Sequence, residues 1–238
     1  MRIGLDQIVL GLFGLAAVGL VTTATLIVPA ELAPFVDQFA DDAEVYPVFA
    51  EKAGVRQPFV SLAALKMDLD RCVKLDPASL VDREGRGLGQ AAVLDVCQQM
   101  AEAAVAASPH FAYGWYIAAG TALRTGEEAR AHDAYMRSVA TNPAEAWLAR
   151  LRFQVFDRPG TPLPAPVTAA ADRDVAVLLT EHSTVEMVAR RYLEDPGFRG
   201  RLSVIAESLP PQKQADFVHR VRALMAKGAG QPVLPGSG

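Results

Sequence analysis

The chain has little of what most chemistry needs. Its 238 residues include two cysteines and four histidines. His110, His132, His182 and His219 form no pair at metal-ligand spacing, and there is no HExxH, GxSxG or GxxxxGK[ST] segment. Gly85, Gly87 and Gly89 in REGRGLGQAA have no apolar strand before them and no lysine after them, so they read as a loop rather than a phosphate cradle. Asp68 and Asp70 read as a solvated helix face, and Glu181-His182 as a helix end with a compensating cation. No catalytic constellation, cofactor motif or small-molecule substrate site emerges, and the expectation is a protein that is not an enzyme. No strand alternation is present, so the fold expected is all-α. There is no basic block, and a net charge of −4 makes nucleic acid a poor partner. Arg190, Arg191, Arg199, Arg201, His219, Arg220 and Arg222 are interleaved with Glu186, Glu194, Asp195, Glu207 and Asp216, a pattern of ordinary ion pairs.

What the chain does have begins at the N-terminus. Residues 8–28, IVLGLFGLAAVGLVTTATLIV, carry no charge. At 1.5 Å per residue they span roughly 31 Å, the thickness of a bilayer core. A cleaved signal peptide is the rival reading, with Val28-Pro29-Ala30 as its processing site, but its apolar core would be shorter. An uncleaved single-pass anchor is the expectation. Arg2 precedes the span, and Glu31, Asp37, Asp41, Asp42 and Glu44 come after it, with no Lys or Arg before Lys52. The positive-inside rule places residues 1–7 in the cytoplasm, and the acidic segment 29–44 with the rest of the chain across the membrane. Ala-, Gly- and Arg-rich usage suggests a bacterium, hence the inner membrane and the periplasm. Cys72 and Cys97 then share an oxidising compartment, which permits a disulfide. Two buried, reduced cysteines are the alternative.

Residues 112–145, AYGWYIAAGTALRTGEEARAHDAYMRSVATNPAE, carry a regular pattern. Trp115 opens it, and the small residues Ala118, Ala119 and Ala122 come next. Gly126 can take the left-handed conformation that ends a helix. Ala131, Tyr135 and Ser138 stripe a second helix, and Pro143, after Asn142, fits the first turn of the next. At these offsets the stretch resembles one tetratricopeptide repeat, a helix–turn–helix unit. Trp115 and Tyr135 are expected to fill the space between its helices. Poorer repeats are expected on either side: Cys97, Ala101 and Ala104 before Pro109, LKMDLDRCVKLDP before that, and PAEAWLARLRFQVF after. Together they make a short α-solenoid over residues 45–156. The resemblance implies a scaffold for protein partners, and it places Tyr113, Tyr116, Gly120, Leu123 and Arg124 on the concave groove that holds them.

Residues 157–171, DRPGTPLPAPVTAAA, hold four prolines and read as a linker or extended strap. A small helical bundle is expected over 172–227. Ser183 and Glu186 have capping-box spacing, Asp195-Pro196 caps another helix, and Phe217, Val218, Val221, Leu224 and Met225 share a face of the last. The tail, 228–238, reads as disordered. Whether the bundle caps the solenoid or stands apart is open. The function expected is a membrane-anchored scaffold, an assembly factor or accessory protein of a bacterial envelope complex, binding proteins in or at the membrane. The alternative is a constitutive small subunit of a membrane enzyme complex, its anchor packed inside.

Overall fold

The N-terminal span forms a helix far longer than a bilayer core requires. In the computed structural model, which describes residues 5–37, 61–74, 90–158 and 160–229, α1 runs over Leu5–Asp37. Its 33 residues continue past Val28 and include Pro29 and Pro34. Gly11–Ala33 is long and apolar enough to cross a membrane. Leu12, Phe13, Leu15, Leu20 and Leu26 all stand exposed. Among the described residues every regular element is helical: α2 (Leu62–Lys74), α3 (Gln90–Ala107), α4 (Ala112–Arg124), α5 (Glu128–Thr141), α6 (Ala146–Phe156), α7 (Ala165–Thr180), α8 (Val185–Glu194), α9 (Pro196–Glu207) and α10 (Pro211–Ala229). The acidic stretch 38–44, the repeat region up to residue 60, Pro77, the Gly85–Gly89 loop and the tail from residue 230 lie outside the described residues.

The chain divides into two compact units, Met1–Ala107 and Ser108–Gly238. In the first, α2 packs against both α1 and α3. Ser61 caps α2: its hydroxyl accepts from the Ala63 and Ala64 amides, and its own amide donates to the Glu31 carboxylate at 2.9 Å. Cys72 on α2 and Cys97 on α3 are joined in a disulfide with a Cα–Cα distance of 5.8 Å, and both are buried. Asp68 is buried, not solvated as its sequence neighbourhood indicated, because the face of α2 that carries Leu65, Leu69 and Cys72 takes it inside.

In the second unit α4 and α5 form a close hairpin. Ala118, Ala119, Ala122, Ala131 and Ala134 are all buried, and their size lets the helices approach. Gly126 ends α4 with φ +81°, a conformation that costs a Cβ-bearing residue more. The Glu127 amide reaches back to the Ala122 carbonyl and the Gly126 amide to that of Leu123, which satisfies carbonyls the helix leaves open. Trp115 departs from expectation. It is only half-buried, with its indole N–H donating to the Pro109 carbonyl at 2.9 Å and the Arg137 guanidinium 5.0 Å over its ring. An alanine-lined contact leaves no room for an indole. Tyr135 fills the space instead, fully buried, with its ring 4.5 Å from that of Phe156. Replacing Ala131 with leucine should therefore overpack the hairpin, lowering stability by about 1–3 kcal/mol. Urea unfolding of the full-length variant reads this, and an unchanged midpoint would contradict the packing described.

Beyond the hairpin the fold corrects several boundaries. Pro143 lies in the turn before α6, which starts at Ala146 with Glu145 as its cap position, so it is not a first-turn proline. The Pro-rich strap ends at Pro164, and its second half is helix: α7 begins at Ala165 with Pro166 in the first turn, where a missing N–H costs nothing. Ser183 does not cap α8. Thr184 holds that position, its hydroxyl turned back to the Leu178 carbonyl at 2.7 Å, while Glu186 pairs with Arg190 and Arg220. Asp195 does cap α9, accepting from the Gly197 and Phe198 amides. On α10, Phe217, Val221 and Leu224 are buried, but Val218 and Met225 point outward. One apolar core joins Phe153 of α6 to Leu178 of α7, Val188 of α8, Leu202 of α9 and Val221 of α10. The C-terminal helices thus share a core with α6 and α7 and are not a separate domain.

Candidate partner-binding face

Residues spaced three and four apart on α4 occupy one face of the helix. Tyr113, Tyr116, Gly120, Leu123 and Arg124 have that spacing, but they do not form a uniformly open groove. Tyr113 and Tyr116 are both buried to 4 % exposure, and their rings stack at 5.8 Å. Burial pushes the Tyr116 phenol above its ordinary range, so it stays a neutral donor. Gly120 and Leu123 are half-buried, and Arg124 is exposed. A Cβ added at Gly120 would meet nothing within 4 Å. The face is therefore covered at its N-terminal half and open at its C-terminal half. The physical reason lies in the aromatic content: Tyr113 also meets Phe111 at 6.2 Å and Trp147 of α6 at 5.6 Å, so the tyrosines join a packed aromatic strip.

Behind this face lies a polar network that sequence reasoning missed. Arg152 of α6 is completely buried and pairs with Asp174 of α7 at 2.6 Å. All five of its N–H groups find acceptors. Nε donates to the Asp174 carboxylate, Nη1 to the carbonyl and hydroxyl oxygens of Ser138, and Nη2 to the Asn142 carbonyl and to Asp174. The Tyr135 hydroxyl donates to Asp174 at 3.0 Å, and the Ser138 hydroxyl donates to the Ala112 carbonyl at 2.8 Å. Burial and the adjoining carboxylate hold the Tyr135 phenol far above its usual range. Burial also pushes the Asp174 carboxyl up, against the opposing pull of Arg152 and Tyr135 donating to it. One guanidinium thus ties the end of α5, the start of α4 and the body of α7 to α6. A signal was available: Arg152 interrupts the apolar stripe Leu148, Arg152, Phe156, and Asp174 lies between Ala171 and Leu178. With every donor satisfied and the site closed to water, the network is structural and offers no group to a ligand.

The C-terminal arginines are largely partnered. Arg190 and Arg220 meet Glu186, Arg191 meets Asp195, and Arg201 bridges Asp157 and Asp172. Arg199 donates to the Tyr192 and Leu193 carbonyls at the end of α8. On α6 the outward residues are Trp147, Arg150 and Gln154, and Arg158 follows two residues past its end; all four are exposed. Compared with family models, with curated proteins and with solved structures, the chain matches none.

Proposed function

We propose that this chain is a membrane-anchored helical-repeat scaffold of a bacterial envelope, holding protein partners beside a membrane complex as an assembly factor or accessory protein. The observation that carries this reading is the recurrence of one hairpin. Helices α4 and α6 start 34 residues apart, and each is succeeded closely by a second helix. Gly126 and Gly160, the two residues with positive φ among those described, are also 34 residues apart. Stacked hairpins of this period present the faces of their first helices side by side, and such faces serve as extended binding surfaces. The bilayer-length α1 supports an anchor, and the buried Cys72–Cys97 disulfide supports an oxidising compartment for the chain beyond α1.

The test has two arms. A reporter that is active only outside the cytoplasm, fused after Lys227, should be active in cells; activity of a cytoplasm-only reporter at that site would reverse the orientation. Purification from detergent-solubilised membranes should retain a protein partner in substoichiometric amount. Stoichiometric retention would make the chain a constitutive small subunit instead, and a chain that crosslinks to no protein in intact membranes would be no scaffold.

A further inference from the structure

We infer that the exposed face of α6 binds an acidic peptide segment, anchored at Trp147 by an apolar side chain and held by Arg150 on the helix and by Arg158 just past its C-terminal end. The inference rests on the scaffold reading and names its partner's chemistry.

Register is the first ground. Trp147, Arg150, Gln154 and Arg158 each stand 34 residues after Tyr113, Tyr116, Gly120 and Arg124. The same helical face that aromatic packing covers on α4 is therefore open on α6. The second ground is the aromatic strip. It runs from Phe111 through Tyr113 and Tyr116 and ends at Trp147, whose ring is 40 % exposed while braced against the buried Tyr113. Its indole N–H donates to the Glu145 carboxylate. A tryptophan already held in place loses little freedom on binding, and such rings are frequent energetic anchors.

Charge supplies the third ground. Arg130, Arg137 and Arg190 each pair with a carboxylate three or four residues away. Arg150 and Arg158 are exposed and make no ion pair among the described residues. Helical rise from Arg150 to the C-cap Asp157, and one further residue, put the two arginines about 12 Å apart. An extended peptide covers that distance in about four residues. The complementary ligand thus carries an apolar side chain, then carboxylates about four residues apart. Of the two acids that flank α6, Asp157 is buried and paired with Arg201, and the exposed one, Glu145, lies at the Trp147 end, so the ligand's carboxylates belong at the Arg158 end. A lipid surface fits less well: Trp147 is the one large exposed apolar residue on α6, and a helix lying on a bilayer needs a continuous apolar face.

The experiment uses the full-length protein in nanodiscs of zwitterionic lipid. The probe is a fluorescent peptide with one phenylalanine and then glutamates about four residues apart, compared with its glutamine counterpart by anisotropy. The acidic peptide should bind about tenfold tighter, and the preference should fall with added salt. Arg150→Glu with Arg158→Glu should abolish the preference without moving the melting temperature, since both side chains are exposed. Trp147→Ala should weaken both peptides, and Arg130→Glu on α5 should change neither. Equal affinity for the two peptides, or a preference that survives the double charge reversal, overturns the inference. Binding to phosphatidylglycerol vesicles without peptide preference overturns it in favour of lipid. A photocrosslinker at Gln154 separates the two levels of the argument. A protein adduct there, without preference for the acidic peptide, removes this inference alone; no protein adduct from Gln154 or Gly120 removes the scaffold reading as well.

Discussion

Replacing Arg152 with methionine should lower the stability of the Ser108–Gly238 unit by about 3–5 kcal/mol, because it leaves a buried carboxylate without its counter-charge. The side chains of Arg152 and Asp174 are 0 % and 1 % exposed, so water cannot take the place of the lost donors. Ser138 and Asn142 lose a donor at the same time. For a unit of this size the melting temperature should fall by about 10–20 °C. Lysine should rescue little, since it has three donors on a point charge and the site presents acceptors to a planar fork. The double replacement Arg152→Met with Asp174→Leu should recover much of the loss, because it removes the unpaired charge along with the pair. A single Arg152→Met variant within about 1 kcal/mol of the parent would show that the network contributes little beyond its packing.

The hairpin that this network braces was the most legible part of the chain. Small residues, a helix-ending glycine and a buried tyrosine act within one local motif, and Ala119, Ala131, Tyr135 and Gly126 stand where their chemistry placed them. Trp115 was misplaced because a repeat pattern gives its position on the helix and not the depth of the contact it faces. Residues 157–171 were read as a linker or extended strap from composition alone. Proline is compatible with a helix's first turn, and Pro166 occupies that turn. Ser183 and Thr184 offered two adjacent capping hydroxyls. A tertiary bond from Thr184 to the Leu178 carbonyl decided between them, and nothing in local sequence announces that bond.

The groove was legible in its register and not in its openness. Spacing identifies which residues share a face, and Tyr113 through Arg124 do share one. Whether a face is open depends on what packs across it, a nonlocal property. On α4 the two tyrosines are buried, and on α6 the equivalent Trp147 and Arg150 are exposed. Arg152 left a signal, its place on an apolar stripe, that is easily passed over: arginine is rarely buried, so an arginine on such a stripe is ordinarily assigned to the helix margin.

Breaking the Cys72–Cys97 bond should cost the Met1–Ala107 unit about 3.5 kcal/mol, the chain-entropy value for a closed loop of this size, with cysteines 25 residues apart. The loss should be local. Helix α2 has 13 residues and is too short to persist alone in water, so it depends on α1, on α3 and on the crosslink. Hydrogen exchange of the full-length protein before and after reduction measures the effect. Amides of α2 and of the Val93–Met100 stretch of α3 should exchange faster after reduction, and those of α9 serve as the internal reference. Exchange in α2 that is unchanged by reduction would mean that Leu65, Leu69, Val93 and Val96 hold the pair without help. The same bond reports on compartment. In freshly isolated membranes both sulfurs should resist maleimide until a reductant is added, and then both should react under denaturing conditions. Free thiols in those membranes before reduction would place the unit on the reducing side, against the orientation expected from Arg2 and the acidic segment after residues 8–28.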